Sequence, residues 1–119
     1  MEIGTLTRWG SPKTGREKES LEHYRKSVAY GGRLVKEGKL SYFEPFLFTS
    51  GDNEIESGFF IAKGPVAEFF GIIDSEEYRS LLARATLLNE HVRVDMLAVG
   101  EGVDRQIADF EKALSALPV

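Results

Sequence analysis

The stretch SGFFIAKGPVAEFFGIIDSEEYRSLLARATLLNEHVRVDMLAV, residues 57–99, decides the fold, because it predicts a strand, a helix and a second strand in succession. Residues 58–62 are apolar on both alternating faces, a pattern typical of a strand that is covered on both sides. Residues 65–89 carry apolar side chains at helical spacing, and residues 91–99 alternate with a period of two. The stretch therefore predicts one β-α-β unit.

The residues before this unit predict a second, similar half. Residues 2–9 predict strand one, the polar residues 10–15 a loop, residues 16–37 helix one, and residues 40–49 strand two. Pro45 lacks a backbone N–H, so it favours an edge position or a bulge in strand two. The order strand, helix, strand, strand, helix, strand is the split β-α-β, ferredoxin-like arrangement. We therefore expect an α+β fold with an antiparallel sheet.

Length and composition set further bounds. A chain of 119 residues predicts a single domain over 1–119, and residues 100–119 predict an appended C-terminal amphipathic helix. The net charge of -4 gives no indication of nucleic-acid binding. There is no cysteine, no basic and apolar leader, and no apolar run of the roughly 20 residues that a membrane-spanning helix needs. We expect a cytoplasmic protein without a membrane or nucleic-acid partner.

Two details of the helices invite a structural test. In the second helical segment, Asp74 and Glu77 have the spacing of a capping box, which predicts a helix that begins after Asp74. The residues before Asp74 predict a short helix that leads into this longer one, and Gly71 predicts the joint between the two. In helix one, Gly31 and Gly32 interrupt the apolar stripe, and each glycine costs about 1 kcal/mol relative to alanine. Close packing on the sheet, or a kink, would explain the pair; room for a ligand is the other explanation.

The apolar character of strands two and three on both faces predicts a homodimer. Helices normally cover only one face of such an antiparallel sheet. A second copy is the simplest cover for the other face, because most oligomers are closed homodimers. The alternative is that the last helix folds back over that face or is exchanged with a partner.

Four short motifs resemble the dimeric α/β-barrel superfamily, in which two ferredoxin-like sheets pack together. They are HYRK at 23–26, EGKL at 37–40, GFFI at 58–61 and SEEY at 75–78. Within the superfamily they are most similar to the YciI-like proteins. The resemblance covers roughly residues 1–99 and implies a ferredoxin-like dimer.

What the resemblance implies about activity is broad. The superfamily includes cofactor-free monooxygenases, haem-degrading enzymes, isomerases and many proteins of unknown function, so the fold says little about chemistry. In a YciI-like protein, His23 would be the helix-borne active-site histidine. Its usual aspartate partner is not matched here, where Glu44 and Asp52 are the available acids.

The candidate site combines aromatic and polar residues near the predicted cleft between the sheet and the helices. His23 could act as a general base, or it could be a boundary histidine without a role in catalysis. A carboxylate among aromatic residues, as at Glu44, should be paired with an arginine or have a raised pKa. The predicted cleft residues are Trp9, His23 and Tyr42, with Arg8 and Glu44 as polar anchors and with Arg8 or Arg93 as the partner of Glu44.

Strand four adds two charged candidates. Arg93 and Asp95 lie on one face of this strand, where they could pair across a dimer interface or flank a ligand pocket. His23 and His91 share no metal-ligand spacing, so we expect neither a metal nor another cofactor.

The first hypothesis is a homodimer that binds an apolar or aromatic small molecule, and the sequence leaves open whether it is a cofactor-independent enzyme. A non-enzymatic assembly module with a filled core is the alternative. Haem binding in the same cleft, as the resemblance suggests, is a third.

Overall fold

A four-stranded antiparallel sheet with strand order β2-β3-β1-β4 forms the centre of the protein. The computed structural model describes residues 1–51 and 54–118. Its elements are β1 Glu2–Trp9, α1 Glu17–Lys36, β2 Tyr42–Leu47, β3 Gly58–Pro65, α2 Val66–Asp74, α3 Glu76–Leu88, β4 Arg93–Ala98 and α4 Glu101–Ser115. The predicted α+β, ferredoxin-like fold is confirmed. Asp52, one of the two acids considered as a partner of His23, lies outside the described residues.

The sheet is built around the longest pairing, between β1 and β3, which runs from Glu2 opposite Pro65 to Trp9 opposite Gly58. β2 is an edge strand, as Pro45 predicts. None of the described helices is long and apolar enough to cross a membrane.

The second helix is divided at Ser75, where the backbone is extended. The Ser75 hydroxyl accepts a hydrogen bond from the backbone N–H of Tyr78 at 3.2 Å, so Ser75 is the N-cap of α3. The predicted joint at Gly71 and N-cap at Asp74 are therefore wrong. Gly71 remains helical, and the serine one residue later provides the capping oxygen.

Gly31 brings α1 close to the sheet. A Cβ atom at this position would lie only 2.5 Å from ring atoms of Phe43 in β2. At Gly32, the next residue, a Cβ atom would meet nothing within 4 Å. The observed packing favours close approach to the sheet over ligand space as the explanation for Gly31.

The register of the sheet separates its two faces. Thr5, Thr7 and Trp9 of β1 lie on the same face as Phe60 of β3 and Phe43 of β2, and the helices α1 to α3 cover this face. Its buried core is continuous with these residues and consists of Leu34, Leu40, Ala62, Phe69 and Ile72.

The opposite side, which we call the helix-free face, carries Leu6, Phe46, Phe59 and Ile61 without a described helix against it. Phe46 and Phe59 stack with ring centroids 4.9 Å apart. All four side chains are only half-buried. The protomer therefore leaves apolar surface in contact with water on this face.

The last helix does not cover that surface. α4 contacts β4 and β1, but its apolar stripe faces solvent, and Ile107 and Phe110 are 53% and 64% exposed. The radius of gyration is 16.8 Å, compared with roughly 13.5 Å expected for a compact domain of this length. The alternative that the last helix folds back over its own sheet is therefore wrong. Exchange with a partner stays a prediction.

Candidate functional site

A cavity of about 130 Å³ lies between the sheet, α1 and α3. We call it the α1 cavity. Most of its lining is apolar or aromatic, and the sheet contributes its floor. The aromatic residues that line it are Trp9, Tyr24, Tyr30, Phe43, Phe60, Phe69 and Tyr78.

Phe60 of β3 is the centre of the aromatic wall. Its ring lies 4.6 Å from that of Trp9, 5.2 Å from that of Phe43 and 5.9 Å from that of Tyr24, measured between centroids. Offset and tilted rings at these separations stabilise one another. The aromatic wall is therefore a tightly packed apolar surface of tilted rings that spans the sheet and α1.

His23 of α1 is the buried titratable residue of the cavity lining, with only 5% of its surface exposed. Its Nε2 atom lies 2.8 Å from the backbone carbonyl oxygen of Leu81 in α3. A carbonyl oxygen can only accept, so Nε2 donates and the neutral ring has its lone pair on Nδ1. Nδ1 has no hydrogen-bond partner among the described residues.

Hydrogen bonds between neighbouring polar residues fix the position of α1 relative to the C-terminal end of α3. The Ser20 hydroxyl donates to Asn89 Oδ1 at 2.8 Å, and Asn89 Nδ2 donates to the backbone oxygen of Gly10 at 3.1 Å. Ser20 and Asn89 are both buried. This chain of hydrogen bonds fixes one end of the cavity, and it was not predicted from the sequence, in which Asn89 resembles only a helix stop.

Burial lowers the pKa of His23 below its usual value of about 6.5, and the nearby cations Arg84 and Lys26 lower it further. The hydrogen bond to the carbonyl of Leu81 opposes this shift without cancelling it. At neutral pH the ring is therefore uncharged, so Nδ1 can accept a proton or a hydrogen bond.

A pH-dependent stability follows from this shift. Between the unfolded-state pKa near 6.5 and the lower folded-state pKa, the unfolded chain binds the proton and the folded chain does not. We expect the free energy of unfolding to fall on acidification through this window, by at most about 1.4 kcal/mol per pH unit for one histidine. Urea denaturation from pH 7.5 to 5 measures it.

The matched control for this experiment is His91, the exposed second histidine. His23→Phe should flatten the pH dependence between pH 7 and 5, whereas His91→Gln should leave it unchanged. An equal slope in wild type and His23→Phe would show that another group causes the dependence.

The structure brings together only part of the predicted site. Trp9 and His23 both line the α1 cavity. Tyr42 and Glu44 lie on the helix-free face, because they share the side of β2 that Phe46 occupies, so the prediction that Tyr42 lines the cleft is wrong. Phe43, one residue away, takes that place.

Glu44 also has a different partner from the one predicted. Its carboxylate accepts a hydrogen bond from the hydroxyl of Tyr42 on the same strand, and its predicted pairing with Arg8 or Arg93 is wrong. Arg8 forms ion pairs with Asp95 and Glu56, and Arg93 forms an ion pair with Asp95.

Arg8, Arg93 and Asp95 form an ion-pair cluster on the helix-free face. Arg8 Nη2 lies 2.8 Å from Asp95 Oδ2, and Arg8 Nη1 lies 3.1 Å from Glu56 Oε1. Arg93 Nε lies 3.0 Å from the same Asp95 oxygen. The hydrogen bond from Arg8 holds the pKa of Asp95 below its usual range. Although Arg8 belongs to the cavity lining, its guanidinium is thus directed to acids on the other face.

No group of three or more potential metal-ligating side chains occurs within residues 1–51 and 54–118. The α1 cavity has about 130 Å³, near the size that accommodates benzene, and it is partly open to solvent. Haem binding stays a prediction.

No protein-family model matches the chain, and no curated protein matches its sequence. Solved structures do resemble it. SnoaB from Streptomyces nogalater, a cofactor-independent oxygenase, has a TM-score of 0.61 at 12% identity, over 83% of this chain and 93% of that chain. A dimeric protein of unknown function from Bacteroides fragilis, with a ferredoxin-like fold, has a TM-score of 0.60 at 7% identity, over 80% and 93%.

A candidate antibiotic biosynthesis monooxygenase from Deinococcus radiodurans gives a TM-score of 0.59 at 13% identity, over 84% of this chain and 93% of that chain. At such low identities these likenesses establish the fold and not the activity. The chain has the ferredoxin-like fold, as its order of strands and helices predicts, and the resemblance of its motifs to the dimeric α/β-barrel superfamily stays a prediction. The narrower resemblance to YciI-like proteins stays a prediction.

Proposed function

We propose that this protein is a homodimer that binds a small apolar or aromatic molecule in the α1 cavity. The observation that supports this proposal is the cavity itself, with Phe60 and its aromatic neighbours along one wall and His23 in its lining. Ligand pockets are typically apolar with a few placed polar groups. The unfilled space argues against the alternative of an assembly module with a filled core.

The helix-free face and the α4 stripe support the homodimer. Both are apolar surfaces that the described part of the protomer leaves uncovered, and exposed patches of this kind mark interaction sites. A second copy would cover the helix-free face. The dimeric Bacteroides fragilis protein of the same fold is consistent with this arrangement.

A second candidate function is cofactor-independent catalysis, for which the neutral His23 would serve as the general base. Nδ1 is the atom that would take a proton from the ligand, and the Leu81 carbonyl holds the ring in that tautomer. SnoaB, a cofactor-independent oxygenase, shares the fold, which makes oxygenation the first activity to assay.

Binding is tested with toluene as an apolar aromatic probe. We expect toluene to raise the melting temperature of the wild-type protein in a concentration-dependent way, because a ligand that binds only the folded state stabilises it. Ala85→Leu should abolish the shift, because Ala85 lines the α1 cavity and the larger side chain fills it.

Ala83→Leu is the matched control, since Ala83 is exposed on the same helix. It should keep the full shift. No shift in wild type, or equal shifts in the two leucine variants, would remove the α1 cavity as the binding site.

A further inference from the structure

His23, which lines the α1 cavity, carries a buried hydrogen-bond acceptor that has no partner among the residues that the structure describes. His23 Nδ1 is buried and unpaired among the described residues, while Nε2 of the same ring is bonded to the carbonyl oxygen of Leu81. That carbonyl fixes the tautomer, so Nδ1 presents a lone pair and no proton. Buried polar atoms are nearly always paired, and an unpaired one is a sign of strain or of a missing partner.

We propose that the ligand of the α1 cavity is an uncharged molecule of single-ring size that carries a hydrogen-bond donor, and that this donor bonds to His23 Nδ1. This inference rests on the proposed binding function and specifies its ligand. A phenolic hydroxyl is the simplest donor of this kind.

The size of the cavity sets the size of the ligand. An engineered cavity of about 150 Å³ in another protein binds benzene, and the α1 cavity has about 130 Å³. One six-membered ring therefore fits, and the tilted rings of Trp9, Phe60 and Phe43 offer faces and edges that an aromatic ring can pack against. A fused ring system would require the cavity to expand.

The charges around the cavity exclude an ionised ligand. Arg8 is the only described lining residue with a permanently charged side chain, and its guanidinium is bonded to Asp95 and Glu56 on the other face of the sheet. The nearest cations, Arg84 and Lys26, are exposed and do not line the cavity, so a carboxylate in it would lose hydration without a close counter-ion, which is costly. A neutral donor avoids that cost.

Access to Nδ1 requires a small movement of the wall. Nδ1 is buried in the structure, so neighbouring atoms must move before a ligand reaches it. Side-chain rotations occur in picoseconds to nanoseconds at accessible positions. The lone pair has already lost its hydration on folding, so a donor that arrives there restores a bond without a further cost to the histidine.

The test compares phenol with toluene, which have nearly the same shape, by calorimetric titration of the full chain at pH 7.5. In wild type, we expect phenol to bind at least as tightly as toluene. In His23→Phe the hydroxyl loses its acceptor, so the ratio of phenol to toluene affinity should fall by about tenfold or more. His23→Gln should retain the ratio, because its amide can donate to the Leu81 carbonyl and still offer an oxygen.

A second measurement is independent of whether the variants fold. With the wild-type protein labelled with ¹⁵N at histidine, phenol should shift the Nδ1 resonance of His23 in the direction of a hydrogen-bonded nitrogen, and toluene should not.

The outcomes separate the two proposals. If neither compound binds, the proposed function fails and this inference fails with it. If toluene binds more tightly than phenol, or phenol leaves the Nδ1 resonance unchanged, the binding function stands and the assignment of a donor to His23 is overturned. If benzoate binds more tightly than phenol, the proposal that the ligand is uncharged is overturned.

Discussion

Ile61→Glu is expected to convert the proposed homodimer into a monomer. Ile61 lies at the centre of the helix-free face, opposite Leu6 of β1 on one side and Glu44 of β2 on the other. In the protomer the position is half-exposed, so a glutamate there remains hydrated and the fold survives. In the proposed dimer the same carboxylate would be buried close to Glu44, and the nearest cation on this face, Lys63, already lies over the ring of Tyr42.

The size of the effect follows from the cost of an unpaired buried charge, about 3–5 kcal/mol. Since each 1.4 kcal/mol corresponds to a factor of ten, the dissociation constant should rise by about 100-fold or more. Sedimentation equilibrium on wild type and variant across a range of concentrations measures it directly.

Leu87→Glu is the control, because Leu87 is an equally apolar residue on α3, on the helix side of the sheet, and it is 69% exposed. The Leu87→Glu variant should remain dimeric, with the dissociation constant of the wild-type protein. A monomeric wild type, or an Ile61→Glu variant that dimerises as strongly as wild type, would contradict a dimer through this face.

The overall fold could be predicted because each element has a clear period. The alternation in β1 and β4 and the helical spacing of α3 and α4 depend on which side chains are apolar, which is a property of the sequence itself. The sequence predicts a break before α3 but places the joint at Gly71 and the N-cap at Asp74, because a serine N-cap and an acidic N-cap one residue earlier are both compatible with the same local pattern.

The candidate site was predicted only in part, for two physical reasons. In β2, Tyr42 and Phe43 are both aromatic, so the sequence does not indicate which of them faces the helices, and a shift of one residue moves every side chain to the other face. The partner of His23 is a backbone carbonyl, at Leu81, 58 residues along the chain. A backbone group leaves no signature in the amino-acid sequence, and only the packing of α1 against α3 reveals it.

The ion-pair cluster shows the same limitation. Arg93 and Asp95 were correctly predicted to share a face of β4, because residues two apart in a strand do so. The pairing of Asp95 with Arg8 depends on the register between β4 and β1, and periodicity within one strand does not determine the register between two.

Gly31→Ala is expected to destabilise the protein and to deform the α1 cavity. The added Cβ would lie 2.5 Å from ring atoms of Phe43, a separation at which either the ring or α1 must move. Phe43 is packed against Phe60 at 5.2 Å and lines the cavity, so its displacement also disturbs the aromatic wall. Overpacking of this kind costs about 1–3 kcal/mol, which exceeds the gain of about 1 kcal/mol from replacing a helical glycine.

Gly32→Ala provides the matched control, because it adds the same methyl group to the same helix where nothing lies within 4 Å. Its φ angle is not in the left-handed region, so alanine is compatible with the backbone. We expect Gly32→Ala to raise the free energy of unfolding by up to about 1 kcal/mol, while Gly31→Ala lowers it, in urea denaturation at pH 7.5. Toluene affinity should fall in Gly31→Ala and stay at the wild-type value in Gly32→Ala. Two variants that both gain stability would show that α1 can lift away from Phe43 without loss, and the rigid aromatic wall on which the binding proposal depends would then be lost.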